Sequence, residues 1–295
     1  MKTILERIKA GEILVGDGAM GSMLFQRGLQ RGDCPEKMNL DHPEVIEEIA
    51  RFYLEAGADI IQTNTFGGTV LRLKEYGLEG EADEINKRAV EAVRKVVGDK
   101  AYISGSCGPS GKMLLPYGDA EPELLYEAFE RQTRVLIEAG VDIICFETMT
   151  DLREAAIAIE SVKALSKDTP VMTTMTFDKI PRGYFTVMGT NISSAAEGLK
   201  EVGADIIGSN CGNGIENMIE IAREFRNVSD LPIIIQSNAG LPEVREGHLI
   251  YPETPEFFAH HLAAMKSVGV SIIGGCCGTT PNHIRAIRRI VDTWK

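Results

Sequence analysis

Residues 202–210 read VGADIIGSN, and variants of that phrase stand at 56–64 (AGADIIQTN), 139–147 (AGVDIICFE) and 268–276 (VGVSIIGGC). Each gives a small or branched residue, Gly, another small or branched residue, a polar residue and then Ile-Ile. Each also follows a stretch with apolar residues at helical spacing, such as EVIEEIARFYLE ahead of 56–64 and ELLYEAFERQTRVLIE ahead of 139–147. The glycine falls where a helix stops, and the Ile-Ile opens a short buried strand.

Between these phrases lie four more apolar runs: ILVGDG (13–18), AYISGSCG (101–108), VMTTMTF (171–177) and LPIIIQSNAG (231–240). Interleaved, they predict eight strands, near 14, 60, 103, 143, 173, 207, 234 and 272. Helix starts fall between them, where Asp41-His42-Pro43, Thr254-Pro255 and Thr280-Pro281 set a capping side chain beside a proline suited to a first helical turn. Eight β-α units in 295 residues predict an α/β fold, a (β/α)8 TIM barrel, with residues 1–295 as a single domain and no linker-like tract. A doubly wound open sheet is the alternative.

The totals narrow the function. A net charge of −12 and a pI near 5.0 argue against a nucleic-acid partner, because phosphate binding needs clustered Lys and Arg. Glu6, Arg7 and Lys9 break the first apolar stretch, and no run approaches the roughly 20 apolar residues of a membrane span, so a cytoplasmic protein is expected. Six cysteines in a chain this large, with no export signal, are expected as thiols or metal ligands and not as disulfides.

Barrel chemistry gathers where strands end. That rule selects Asp17 after strand 1, Asn64 and Thr65 after strand 2, Cys107 after strand 3 and Glu147 after strand 4. Asp178 follows strand 5, Asn210 and Cys211 strand 6, Asn238 strand 7, and Cys276 and Cys277 strand 8. Cys211, Cys276 and Cys277 thus share one rim. Three thiolates from two strands suit Zn²⁺, with the fourth position open as in catalytic sites. Cys145, one residue inside its strand, is expected in the core; Cys107 is either core or a fourth ligand; Cys34 is structural or incidental.

DGAMGSML (17–24), QTNTFGG (62–68), FET (146–148), GSNCGNG (208–214), SNAG (237–240) and GGCCGTTP (274–281) together resemble the homocysteine S-methyltransferase family, in order and over essentially the whole chain. The resemblance implies a zinc-dependent barrel enzyme that makes methionine from a small-molecule thiol, homocysteine. It implies Cys211, Cys276 and Cys277 as zinc ligands, and Asp17 and Glu147 as the catalytic carboxylates that hold the substrate ammonium. Backbone near Gly18 and the loop at Asn64 and Thr65 would receive the substrate carboxylate, and Asn210 and Asn238 would line the pocket and support the metal.

Three stretches depart from the family pattern: GNGIENM (212–218) after the NC pair, Ser237 in place of a proline before NAG, and VMGTNISS (187–194) after strand 5. They lie around the pocket and bear on the acceptor, not on the zinc ligands. The sequence carries no Asp-x-His-x-x-Gly cobalamin motif, so a methylcobalamin donor is expected on a separate corrinoid protein. Two other readings stand beside this one. One is a zinc methyltransferase passing a methyl group from an O-, N- or S-methylated compound to a corrinoid protein; the other is a non-catalytic zinc- or thiol-binding module.

Overall fold

The computed structural model describes residues 2–245 and 248–294. Eight parallel strands form one sheet: β1 (Leu14–Val15), β2 (Ile60–Gln62), β3 (Tyr102–Cys107), β4 (Ile143–Met149), β5 (Val171–Met175), β6 (Ile206–Asn210), β7 (Ile233–Ser237) and β8 (Ile272–Gly275). Their order is β1-β8-β7-β6-β5-β4-β3-β2, and a parallel bridge between Gly16 and Ile60 joins the two ends into a barrel. All eight fall where the sequence predicts strands. The outer ring comprises α1 (Pro43–Glu55), α2 (Ala82–Val97), α3 (Pro122–Glu138), α4 (Leu152–Leu165), α5 (Ile192–Glu201), α6 (Ile215–Val228), α7 (Pro255–Val268) and α8 (Pro281–Asp292).

The repeated phrase has a structural job. Its aspartate precedes an even-numbered strand and reaches back to the odd-numbered strand before it. Asp59 Oδ2 accepts from Val15 N at 2.9 Å, Asp142 Oδ2 from Ile103 N at 2.7 Å and Asp205 Oδ2 from Val171 N at 2.8 Å. The backbone N–H of the same aspartates donates to the carbonyls of Val15, Ile103 and Val171. Ser271, in the fourth copy, makes the backbone bond to Ile233 O. Each copy therefore stitches two neighbouring strands together at the end of the barrel opposite the predicted site.

Period-two alternation sorts the strand residues. Leu14, Ile60, Tyr102, Ile143, Met172, Ile206, Ile234 and Ile272 point inward and form one apolar layer, closed from below by Ile4 of the short helix Ile4–Lys9. Two residues further along these strands the interior turns small and polar, with Gln62, Ser104, Thr174 and Gln236 among glycines. Two residues beyond that come Asn64, Ser106, Glu147, Asn210, Asn238 and Cys276, the ring on which the site is built. The outward faces pack under the helices in a separate, larger apolar layer.

Three local expectations need correction. His42, not Asp41, is the N-cap of α1, and its side chain makes no capping bond. Asp178 opens a two-stranded hairpin (Asp178–Ile180 with Gly183–Phe185) and is solvent-exposed, so it takes no part in the site. A second hairpin, Glu243–Arg245 with His248–Ile250, follows β7, and the strand pattern gave no sign of either.

Candidate metal centre and its pocket

The Sγ atoms of Cys211, Cys276 and Cys277 lie within 4.8 Å of one another, with Cys211 and Cys277 at 3.8 Å. Among the described residues this is the only cluster of its kind. Backbone bonds fix the two thiol loops to the strand between them. Cys211 N donates to Gln236 O at 3.2 Å, Cys276 N to Ser237 O at 2.7 Å, and Ala239 N to Cys277 O at 3.0 Å. Cys211 has φ +59°, a left-handed conformation that a side-chain-bearing residue adopts only when its surroundings impose it. The thiols titrate as a unit. Hydrogen bonds from Cys276 and Cys277 pull the Cys211 thiol down, and those two thiols are pushed up, first by their bonds to Cys211.

Beside the sulfurs lie two buried carboxyls. Asp17 Oδ2 accepts from Gln62 N at 2.8 Å, while Oδ1 is buried without a partner. Glu147 Oε1 accepts from Ser106 Oγ and from Gln62 Nε2 at 3.2 Å; its Oε2 accepts from Asn210 Nδ2 at 3.4 Å. Burial dominates both groups, raising Asp17 to about 8 and Glu147 to about 7. The register of β4 against β5 shifts between Phe146 and Met149, and Thr148 at φ +60° is the residue that bends. Such a bulge re-aims the side chains beyond it: Glu147 points into the barrel by simple alternation, and the bulge turns Met149 into the outer apolar layer.

Asn210 ties the halves together. Its Oδ1 accepts from Thr148 N and Thr174 Oγ1, both at 2.7 Å, and its Nδ2 faces Thr148 Oγ1 at 2.8 Å and Cys276 Sγ at 3.8 Å. Asn238 bonds the Cys211 thiol through its side chain, and its Oδ1 is buried without a partner. Three soft donors and an unpaired amide oxygen beside them fit Zn²⁺.

Glu147 and the three cysteines open on a cavity of about 280 Å³, near the lower limit for ligand pockets; Asp17, Asn210 and Asn238 are buried next to these residues but are not part of its lining. Its lining includes Gly18, Glu147 and the three cysteines; among the described residues that line it there is no Lys, Arg or His. Gly18 has to be glycine, because a Cβ would sit 2.7 Å from Thr279 Oγ1 and 3.0 Å from the Tyr53 ring.

The remaining predicted residues sort differently. Asn64 lines the cavity, but its amide is committed to Pro35 O at 2.8 Å and Asn39 Oδ1 at 2.9 Å. Thr65 is buried with its hydroxyl on Ser106 O, behind the lining and not on it. Cys145 is core, as expected, and Cys107 is fully buried away from the cluster. Gln62, Ser106, Thr148 and Phe66 line the pocket and were missed. Gln62 and Ser106 were findable, since each sits inward on its strand, in register with the site ring or one layer below it.

The homocysteine S-methyltransferase family profile matches residues 14–291. The chain belongs to the homocysteine S-methyltransferase family. It is 32% identical over 299 residues to methionine synthase of Mycobacterium leprae (strain TN), covering 96% of this chain and 24% of that protein. With methionine synthase of Mycobacterium tuberculosis (strain ATCC 25618 / H37Rv) it shares 31% over 310 residues, covering 99% and 26%. The chain thus spans about a quarter of the length of these relatives. The homocysteine methyltransferase MmuM from Escherichia coli, in its metallated form, superposes with a TM-score of 0.81 at 23% identity, covering 97% of this chain and 99% of that one. The oxidized form gives 0.81 at 22% identity, covering 98% and 99%. At these identities the likeness is one of fold, and it agrees with a barrel running through the whole chain.

Proposed function

We propose that residues 1–295 form one catalytic unit that binds homocysteine, holds its sulfur as a thiolate and methylates it to give methionine, with Zn²⁺ resident and a methyl-corrinoid protein as donor. The observation that carries this reading is the convergence of three cysteines and the buried Glu147 carboxyl on one small pocket without a cationic side chain, with the buried Asp17 carboxyl next to the lining residue Gly18. Cys211, Cys276 and Cys277 would hold the metal, which when bound supplies a Lewis-acid position that lowers the pKa of a thiol.

The chain's own groups do the rest. Asp17 Oδ1, buried and unpaired, and Glu147 present acceptors for a substrate ammonium, and that cation returns both carboxyls to their charged forms. With no cationic side chain in the lining, the substrate carboxylate is left to backbone N–H groups, on the side formed by Gly18 and the loop after β2. Ser106, Gln62 and Asn210 fix Glu147 in place, so the ammonium is held at a defined distance from the sulfurs. In the transfer step the thiolate lone pair forms the S–CH₃ bond while the methyl–donor bond breaks, its electrons staying on the donor. The thiols call for a reducing compartment, and we place the protein in the cytoplasm.

Glu147→Gln tests the reading. It keeps the shape and removes the charge, so the homocysteine KM should rise by about tenfold or more while zinc content stays constant. Methylcobalamin should serve as donor and methyltetrahydrofolate alone should not. If Glu147→Gln leaves KM unchanged while a methylated non-amino-acid is demethylated onto a corrinoid protein, transfer runs the other way.

A further inference from the structure

The hairpin after β7 leads into residues 251–253, which cross the barrel mouth beside the thiol loops. Three glycines receive this segment. A Cβ on Gly214 would overlap Glu253 Oε1. One on Gly240 would lie 3.0 Å from both Glu253 Cγ and Pro252 Cγ, and one on Gly278 would run into the Tyr251 ring. These glycines come three residues after Cys211, two after Asn238 and one after Cys277. Both thiol-bearing loops, and the Asn238 loop between them, have therefore given up a side chain at the point where this segment presses on them.

Polar contacts hold it down. Glu253 N donates to Ala239 O at 2.9 Å, and Glu253 Oε2 accepts from Ile215 N at 3.1 Å, at the start of α6. Glu253 O lies 2.9 Å from His283 Nε2, while His283 Nδ1 accepts from Thr280 N at 3.1 Å, which makes Nε2 the donor. One residue thus bonds to the β7 loop, the β6 loop and α8. Resting on the metal-site reading above, we propose that residues 251–253 clamp the two thiol-bearing loops and the β7 loop between them in register, with Glu253 as the positioning residue of the cluster. It touches no sulfur; it acts by fixing the loops from which the sulfurs project.

The test uses the full chain and Gly214→Ala, Glu253→Ala, Glu253→Gln and the Gly214→Ala/Glu253→Ala double variant. Gly214 has φ −77°, so the added methyl meets Glu253 and imposes no backbone strain. In zinc-loaded protein, Glu253→Ala and Gly214→Ala should each speed chelator-driven zinc loss by about tenfold. Glu253→Gln, which can still accept from Ile215 N, should change it much less. Adding Gly214→Ala to Glu253→Ala should change the rate by less than about twofold, because the group it would displace is gone. In metal-free protein, amide exchange should quicken in residues 211–214 and 276–278 of Glu253→Ala. Zinc loss at the wild-type rate in both single variants, effects that simply multiply, or faster exchange confined to residues 251–253 would overturn the clamp. A wild-type protein that takes up no zinc contradicts the metal reading instead, and the exchange measurement then decides the clamp alone.

Discussion

Asp17 carries a cost of burial that, on the proposed function, a bound ammonium would offset. Burial raises its pKa to about 8, far above the ~3.9 of an unfolded aspartate, so between these values the folded protein holds more protons than the unfolded one. Its contribution is therefore most favourable below about pH 4 and is lost as pH rises toward 8. Asp17→Asn removes that penalty. Its melting temperature should exceed wild type by roughly 2–4 °C at pH 8, an advantage that shrinks at pH 5, while homocysteine binding is lost. A variant less stable than wild type at both pH values would show the carboxyl to be structural. Asp17, Glu147 and the three cysteines were legible because their residue types are costly or conspicuous at a strand end. Ser106, Gln62 and Thr148 were not, since small polar residues on a barrel strand are as common inside a plain core, and only side-chain direction separates the two. Asn64 and Thr65 stand on the expected rim with their side-chain hydrogen bonds spent on neighbouring segments, so what they can offer a ligand is backbone.

At the scale of elements, the repeated phrase located the strands but not why it repeats. The helix-ending glycine and the Ile-Ile pair follow from local physics; the aspartate is there for a strand that precedes it by a whole helix. Asp205→Ala strips the acceptor from Val171 N and the partner from Lys163, 2.8 Å away. Leaving that N–H unpaired costs about 1–3 kcal/mol, so the melting temperature should fall by several degrees with zinc content unchanged. Unaltered melting would mean that water replaces the bond. The bulge at Thr148 and the first hairpin stayed invisible in sequence because they depend on contacts from distant elements: Asn210 holds Thr148, and Glu220 of α6 accepts from Lys179 and Tyr184 of that hairpin.

Across the whole molecule, one end of the barrel is stitched by aspartates and plugged by Ile4, and the other gathers thiols, carboxyls and longer loops around a pocket with no cationic side chain in its lining. Exposed apolar side chains stand on the loops of that open end, among them Phe25, Met113, Tyr117, Val187 and Leu241. On the function proposed above, such a rim is where the donor would dock to bring its methyl to the thiolate. The sequence placed the three cysteines on this end from strand order alone; the proposed acceptor rests on the electrostatics of the pocket, which only the folded chain displays. X-ray absorption on zinc-loaded protein, before and after addition of homocysteine, tests the central claim most directly. Three sulfurs around zinc should become four, and Cys211→Ala should abolish the starting site; a sulfur shell that homocysteine leaves unchanged would contradict thiol activation at this cluster.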